Sequence, residues 1–315
     1  MNVEIVVPVF NEQDNIVELY EQVRRVMEPI GLTWGLLYVD DGSRDETVAR
    51  LEQLRARDPR VQFLSFTRNF GHQAALLAGL EHAMGDCVIT MDGDLQHPPH
   101  VLPALITHWL NGAEVVATVK DFTNDMGPLK RLATLAFYSI MNRISGIHLP
   151  RGAADFRLLD RRALQAVLAL PERQKFLRGL VAWTGHRTAT VEYTVGRRHA
   201  GAVKYSFVKL ARLAWDGVTS FSATPLRVAF YLGLVMCALA GTYGTFAIVA
   251  HFLRHTPTGW TSVLVSVLGI GGLQLIFIGL IGEYLARVFD EVKGRPRYIL
   301  KDPTPSTRPV PRPPA

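Results

Sequence analysis

Cysteine is almost missing from this chain. Its two residues, Cys87 and Cys237, stand far apart, which excludes a disulfide framework and any cysteine-based zinc spacing. The start of the chain has neither a basic stretch nor a long apolar one, so no signal peptide is expected there. It opens as a strand, Val3-Glu4-Ile5-Val6-Val7-Pro8, and the amino-terminal domain is expected to stay in the cytoplasm. No Gly-rich phosphate loop and no Ser-His-Asp pattern is evident, and the basic residues are not interleaved with aromatics, which argues against nucleic acid as a partner. Acidic and basic side chains are also missing from two long stretches, 226–253 after Arg227 and 262–285 up to its end.

What is present is a 315-residue chain with a net charge of +6 and a hydrophobic fraction of 48%. That length suffices for one α/β domain and something smaller. A basic balance fits an anionic membrane or a phosphorylated substrate. Residues 1 to 120 alternate apolar runs with helical patterns. Strands are expected at 3–9, 35–39, 61–66, 87–91 and 114–119, with helices at 12–27, 45–57, 71–84 and 99–111. This rhythm predicts a mostly parallel, doubly wound sheet with flanking helices, which binds ligands at the carboxyl ends of its strands.

Three polar motifs fall at such ends: Pro8-Val9-Phe10-Asn11-Glu12, Asp40-Asp41-Gly42-Ser43, and Met91-Asp92-Gly93-Asp94-Leu95-Gln96-His97. Strand alternation places Asp92 and Asp94 on one side. Two carboxylates there suit a hard cation shared with a diphosphate. Asp-Gly-Ser is also ordinary turn chemistry, with Ser43 able to cap the following helix.

The two uncharged stretches each exceed the roughly 20 residues that span a bilayer. With a short loop between them they read as a transmembrane hairpin, and its many glycines would let the helices approach closely. Basic residues flank the pair on both sides while the loop holds only Arg254, which puts both flanks in the cytoplasm. Residues 127–146 read as an amphipathic helix with Lys130, Arg131 and Arg143, either an ordinary surface helix or one lying on the membrane. The expected organisation is a catalytic domain at 1–200, a loop and juxtamembrane helix at 201–225, two membrane helices within 226–285, a juxtamembrane segment at 286–302 and a Pro-rich disordered tail at 303–315.

The motifs VPVFNE (7–12), DDGSRDET (40–47), RNFGHQAALLAGL (68–80), MDGDLQHPP (91–99), ADFRLLDR (154–161), KYSFVKL (204–210), SATPLR (222–227) and GEYLARVFDEVKGRPRY (282–298) together resemble the inverting GT-A glycosyltransferases of family 2. Within that family they resemble the membrane-bound polyprenyl-phosphate glycosyltransferases. The resemblance implies a GT-A Rossmann-like sheet followed by interfacial helices and the hairpin. It implies transfer of a sugar from a nucleotide sugar, UDP-linked, to undecaprenyl phosphate at the cytoplasmic face of a bacterial inner membrane. It further implies a homo-oligomer among membrane lipids, with a flippase acting downstream. Pro8, Phe10, Asn11, Glu12, Asp40 and Asp41 would line the nucleotide pocket, with Ser43 near the donor. Asp92, Asp94 and Gln96 would hold Mg²⁺ or Mn²⁺ against the diphosphate. Asp155, Phe156 and Arg157 resemble a segment that closes over sugar and acceptor, with Asp155 and Arg157 in catalytic roles beside Asp94. Arg131, Arg198 and Lys204 would position the acceptor phosphate, although attraction to anionic lipid is the better account of Arg131. Two positions depart from the family pattern: Val203 stands where relatives have Ser, and His97 where they have Asp or Asn. The alternatives are a processive polysaccharide synthase, whose Gln-x-x-Arg-Trp motif is missing here, and a membrane adaptor that binds a nucleotide sugar without turnover.

Overall fold

The computed structural model describes residues 1–120, 153–172, 177–193, 224–253 and 260–301. The amphipathic helix expected at 127–146, residues 201–223 of the expected loop, and the tail at 303–315 lie outside them. The chain divides into two compact units, Met1–Ser206 with Arg295–Ala315, and Phe207–Gly294.

In the first unit the apolar runs form strands because they are buried on both faces, as a parallel sheet covered by helices requires. β1 (Asn2–Val9), β2 (Thr33–Asp40), β3 (Val61–Ser65) and β4 (Cys87–Thr90) match the expected strands closely. β5 (Val115–Lys120) follows, then β6 (Ala153–Asp160) and β7 (Thr188–Tyr193). The sheet runs β3-β2-β1-β4-β6-β5-β7, and β6 alone is antiparallel to its neighbours. Strand order reverses between β1 and β4. Their carboxyl ends therefore open the crevice where doubly wound sheets bind ligands.

Helices α1 (Ile16–Met27), α2 (Thr47–Arg57), α3 (His72–His82), α4 (Leu102–Leu110), α5 (Arg161–Ala169) and α6 (Leu177–Trp183) flank this sheet. α1 turns Ile16, Leu19, Tyr20, Val23 and Met27 inward, the spacing of one helix face. It begins four residues later than the sequence pattern implied, because 12–15 belong to a loop that donates elsewhere. α3 lies directly on β1: a Cβ on Gly79 would meet Val6 Cγ1 at 2.2 Å. Gly79→Ala is therefore expected to lower stability by about 1–3 kcal/mol through overpacking, read as a drop in thermal midpoint. An unchanged midpoint would mean that α3 shifts freely on the sheet.

The sequence assigned 286–302 to a juxtamembrane segment. The structure instead returns 295–301 to the first unit, beside the edge strand β3. The Lys301 amide donates to Ser65 O (2.7 Å) and the Thr67 amide to Ile299 O (3.0 Å). Tyr298 stacks on Phe66 with centroids 5.0 Å apart, and its hydroxyl donates to Glu81 (2.7 Å). Covering an edge in this way removes a template for unwanted pairing.

The second unit contains two long helices, α7 (Thr224–Leu253) and α8 (Trp260–Lys293). They match the two predicted apolar stretches and extend past both. Among the described residues one stretch, Gly269–Lys293, is long and apolar enough to cross a membrane.

Candidate active site

The first two acidic or polar loops are joined by reciprocal hydrogen bonds. The Asn11 amide donates to Ser43 Oγ (2.9 Å) and the Glu12 amide to Thr47 Oγ1 (3.0 Å). In return the Arg44 amide donates to Asn11 Oδ1 and the Glu46 amide to Gln13 Oε1, both at 2.9 Å. Asn11 takes a left-handed φ of 55° to do so, a conformation that Asn tolerates better than most residues. Ser43 therefore braces the first loop and does not cap α2, whose first residue lies four positions on. Pro8 is buried, while Phe10, Asn11, Glu12 and Ser43 keep some exposure around the crevice.

Asp40 and Asp41 turn into the protein, although the family resemblance implies that they line the nucleotide pocket. Asp40 is 1% exposed and accepts the Ser43 amide (2.9 Å) and the Ser65 hydroxyl (2.7 Å). Asp41 accepts the Phe70 and Gly71 amides (2.6 and 2.9 Å), fixing the entry to α3. Burial raises the Asp41 carboxyl above its ordinary value, and those two amides oppose the rise.

β4 ends at Thr90, so strand alternation does not set the Asp92-Gly93-Asp94 geometry; a loop does. Gly93 lies so close to β1 that a Cβ would meet Val9 Cγ1 at 2.7 Å. Leu95 adopts a left-handed φ of 61°, and Asp94 Oδ1 accepts the Gln96 amide (3.1 Å). Asp92 is framed by two histidines, His72 Nε2 at 3.5 Å and His97 Nε2 at 3.6 Å. The buried His97 accepts the Asp92 amide at Nδ1 (2.9 Å) and stacks on Phe156 at 5.0 Å. That accepted bond leaves the proton on Nε2, facing the carboxylate. His97 thus braces the metal-type loop from behind.

Among the described residues no group of three or more His, Cys, Asp or Glu side chains could close a metal shell alone. The two carboxylates fit a divalent ion that takes its remaining oxygens from a diphosphate and water, as Mg²⁺-type sites do.

β6 is where the structure departs most from the sequence reading. Asp155, Phe156 and Arg157 are a buried strand inside the sheet and not a segment that closes over it. Asp155 is 5% exposed and Arg157 is 7% exposed. They are held by each other, Arg157 Nη2 donating to Asp155 Oδ1 (2.9 Å). Arg178 on α6, which sequence reasoning missed, completes the cluster with two bonds to Asp155, Nε to Oδ1 (2.9 Å) and Nη2 to Oδ2 (2.7 Å). A cation one residue into the apolar run Leu177–Trp183 was the available signal. Burial works to raise the Asp155 carboxyl, but the Arg178 hydrogen bonds and the charges of both arginines win and hold it far below the usual carboxylate range. Burial lowers Arg157, and Asp155 opposes that fall. Gln73 reaches Asp155 (3.4 Å) while its neighbour His72 reaches Asp92, so the start of α3 joins the acidic loop to the arginine cluster. Arg131, Arg198, Lys204 and Val203 lie outside the described residues.

A sheet with one antiparallel strand beyond its switch point, and an Asp-x-Asp loop leaving the strand beside that point, defines a GT-A-type fold. The chain belongs to glycosyl transferase family 2, whose model matches residues 4–168, and a GtrB C-terminal hairpin model matches 224–288. It is 43% identical over 302 residues to the SfII prophage-derived bactoprenol glucosyl transferase of Shigella flexneri, covering 96% of this chain and 98% of that one. A prophage bactoprenol glucosyl transferase homolog of Escherichia coli K12 is 41% identical, over 96% of this chain and 99% of that one. Among solved structures it is similar to the glucosyl-3-phosphoglycerate synthase of Mycobacterium tuberculosis in complex with Mn²⁺, uridine diphosphate and glucosyl-3-phosphoglycerate (20% identity, TM-score 0.48, 69% of this chain and 77% of that one). It is also similar to a mannosyltransferase of Pyrobaculum calidifontis in complex with GDP-Man and Mn²⁺ (17% identity, TM-score 0.48, 92% and 86%).

Proposed function

We propose that this glycosyltransferase moves one sugar, with inversion, from a UDP-linked donor to undecaprenyl phosphate at the cytoplasmic face of a membrane. The observation that carries this reading is the pairing of two carboxylates with a separate arginine cluster at one switch point, Asp92 and Asp94 on one side of His72–Gln73 and Asp155, Arg157 and Arg178 on the other. A reaction between two phosphorylated substrates needs two places for anionic charge. The bactoprenol glucosyl transferases, similar over nearly their full length, support the choice of acceptor. The apolar helices α7 and α8 support a membrane hairpin that brings the enzyme to a lipid substrate.

Pro8, Phe10, Asn11, Glu12 and Ser43 would line the nucleotide, with Asp40 and Asp41 holding their loops in place. Asp92 and Asp94, with Gln96 beside them, would hold Mg²⁺ or Mn²⁺. When bound, the ion would stabilise the negative charge that develops on the leaving diphosphate. Asp155 is too firmly ion-paired to take a proton, and no general base is required. A lipid phosphate, with a second pKa of about 6, is already mostly a dianion at neutral pH. Arg131, Arg198 and Lys204 remain candidates for holding that phosphate.

The test is transfer from a panel of labelled UDP- and GDP-sugars to undecaprenyl phosphate, by purified protein in detergent with Mg²⁺ or Mn²⁺. One sugar in the lipid phase, lost on adding EDTA, is the expected result. No lipid product with any donor would overturn the reading.

A further inference from the structure

The ladder that joins β4 to β1 gives out just before the acidic pair. The Met91 amide donates to Val6 O (3.0 Å), and the next amide, that of Asp92, donates instead to His97 Nδ1 (2.9 Å). The chain from 92 to 97 is therefore a loop closed on itself by a side chain. Inside it Leu95 takes its left-handed φ of 61° and Asp94 Oδ1 accepts the Gln96 amide. Both carboxylates thus depend on where that closure falls. His97 meets Asp92 at both ends, since its Nε2 stands 3.6 Å from the carboxylate while Nδ1 accepts the amide. The ring has no freedom to follow the loop. It is 2% exposed, stacked on the buried Phe156 of β6 at 5.0 Å and 16°, and met edge-on by Tyr193 at 5.9 Å. The Asp92 side chain, by contrast, is 34% exposed, too open for packing to fix it.

We propose that His97 is the positioning residue of the divalent site: acting through Asp92, it fixes the 92–97 loop in the arrangement that presents both carboxylates to an ion. The inference rests on the metal reading proposed above. Its physical basis is preorganisation. A ligand that binds only one arrangement of a loop loses affinity in proportion to the fraction of molecules that hold it. His97 raises that fraction, because its ring is anchored on β6 and the Asp92 amide is bonded to the ring. The nitrogen that matters is Nδ1, which lies at hydrogen-bond distance; Nε2, at 3.6 Å, does not.

The test titrates Mn²⁺ into purified full-length protein holding UDP, with the free ion read by electron paramagnetic resonance. Wild type, His97→Asn and His97→Gln are compared, and the thermal midpoint of each metal-free protein is measured beside them. An Asn side chain puts an acceptor oxygen where Nδ1 stands, whereas a Gln side chain reaches towards Nε2 and misses Nδ1. Both give up the stack on Phe156, so both midpoints are expected to fall. His97→Gln is expected to weaken Mn²⁺ binding roughly tenfold, the size of one hydrogen bond lost at a partly buried amide. His97→Asn should stay within about threefold of wild type, because the bond is kept. A packing role alone predicts the opposite order, since Gln is nearer to His in volume. No loss in either variant, or a loss in His97→Asn as large as in His97→Gln, would overturn the proposal. Should His97→Gln fail to fold, His97→Asn decides alone: affinity kept despite a lowered midpoint supports the proposal, and a roughly tenfold loss overturns it. Wild type that takes up no Mn²⁺ in the presence of UDP overturns the metal reading itself, and this inference with it.

Discussion

Asp92→Asn and Asp94→Asn are each expected to lower kcat at least about a hundredfold, the several kcal/mol that a metal clamp supplies to a developing phosphate charge. The folded state should survive both changes. Asp94 sits on a loop, partly exposed, and its bond from the Gln96 amide (3.1 Å) can be accepted equally well by an amide oxygen. Asp92 is also partly exposed, and its backbone amide still donates to His97 after the change. The measurement is transfer rate beside thermal midpoint, together with titration of Mn²⁺ into protein holding UDP. Loss of both rate and Mn²⁺ affinity with an unmoved midpoint supports the assignment. Unchanged rates in both variants would remove Asp92 and Asp94 from the chemistry altogether.

The five strands β1 to β5 were legible because each is an apolar run, and several stop at polar turn chemistry such as Val39-Asp40-Asp41-Gly42 or Thr90-Met91-Asp92-Gly93. β6 was not, because it contains Asp155 and Arg157 at buried positions. Three charged residues in eight, Asp155, Arg157 and Asp160, do not read as a strand, and nothing local reveals that Asp155 and Arg157 pair with each other and that Asp155 also pairs with Arg178, 21 positions beyond Arg157. β7 was missed for a different reason: the edge strand Thr188–Tyr193 is mostly exposed, with only its last residue fully buried, so it has little apolar content to mark it. The acidic pair of the third motif was legible as a pair, but its geometry was not. The turn is set by Gly93 against Val9 and by the left-handed Leu95, contacts and torsions that no spacing encodes. The segment 295–301 follows a long apolar helix and carries Arg295 and Arg297, and so read as juxtamembrane. Only the structure reveals that Tyr298 and Leu300 return to the edge of the sheet.

The same hidden cluster sets the second large effect. Asp155→Ala is expected to destabilise the protein by about 3–5 kcal/mol, because it leaves the buried Arg157 and the half-buried Arg178 without their shared counter-charge. Asp155→Asn, which keeps the shape and an acceptor oxygen, should lie between wild type and Asp155→Ala. Urea unfolding would measure both. The pH dependence follows in sign. The Asp155 carboxyl is depressed in the folded protein, so its contribution is fully present above the unfolded value of about 3.9 and is lost progressively as pH falls below that. The stability gap between wild type and Asp155→Asn should therefore be constant from pH 7 to about pH 5 and should narrow below about pH 4. A double-mutant cycle with Arg178→Gln then separates the pair from its surroundings. Coupling well above the roughly 0.5 kcal/mol of independent sites is expected. Additive effects, or a gap that stays open in acid, would mean that Asp155 is held by packing and not by its arginines.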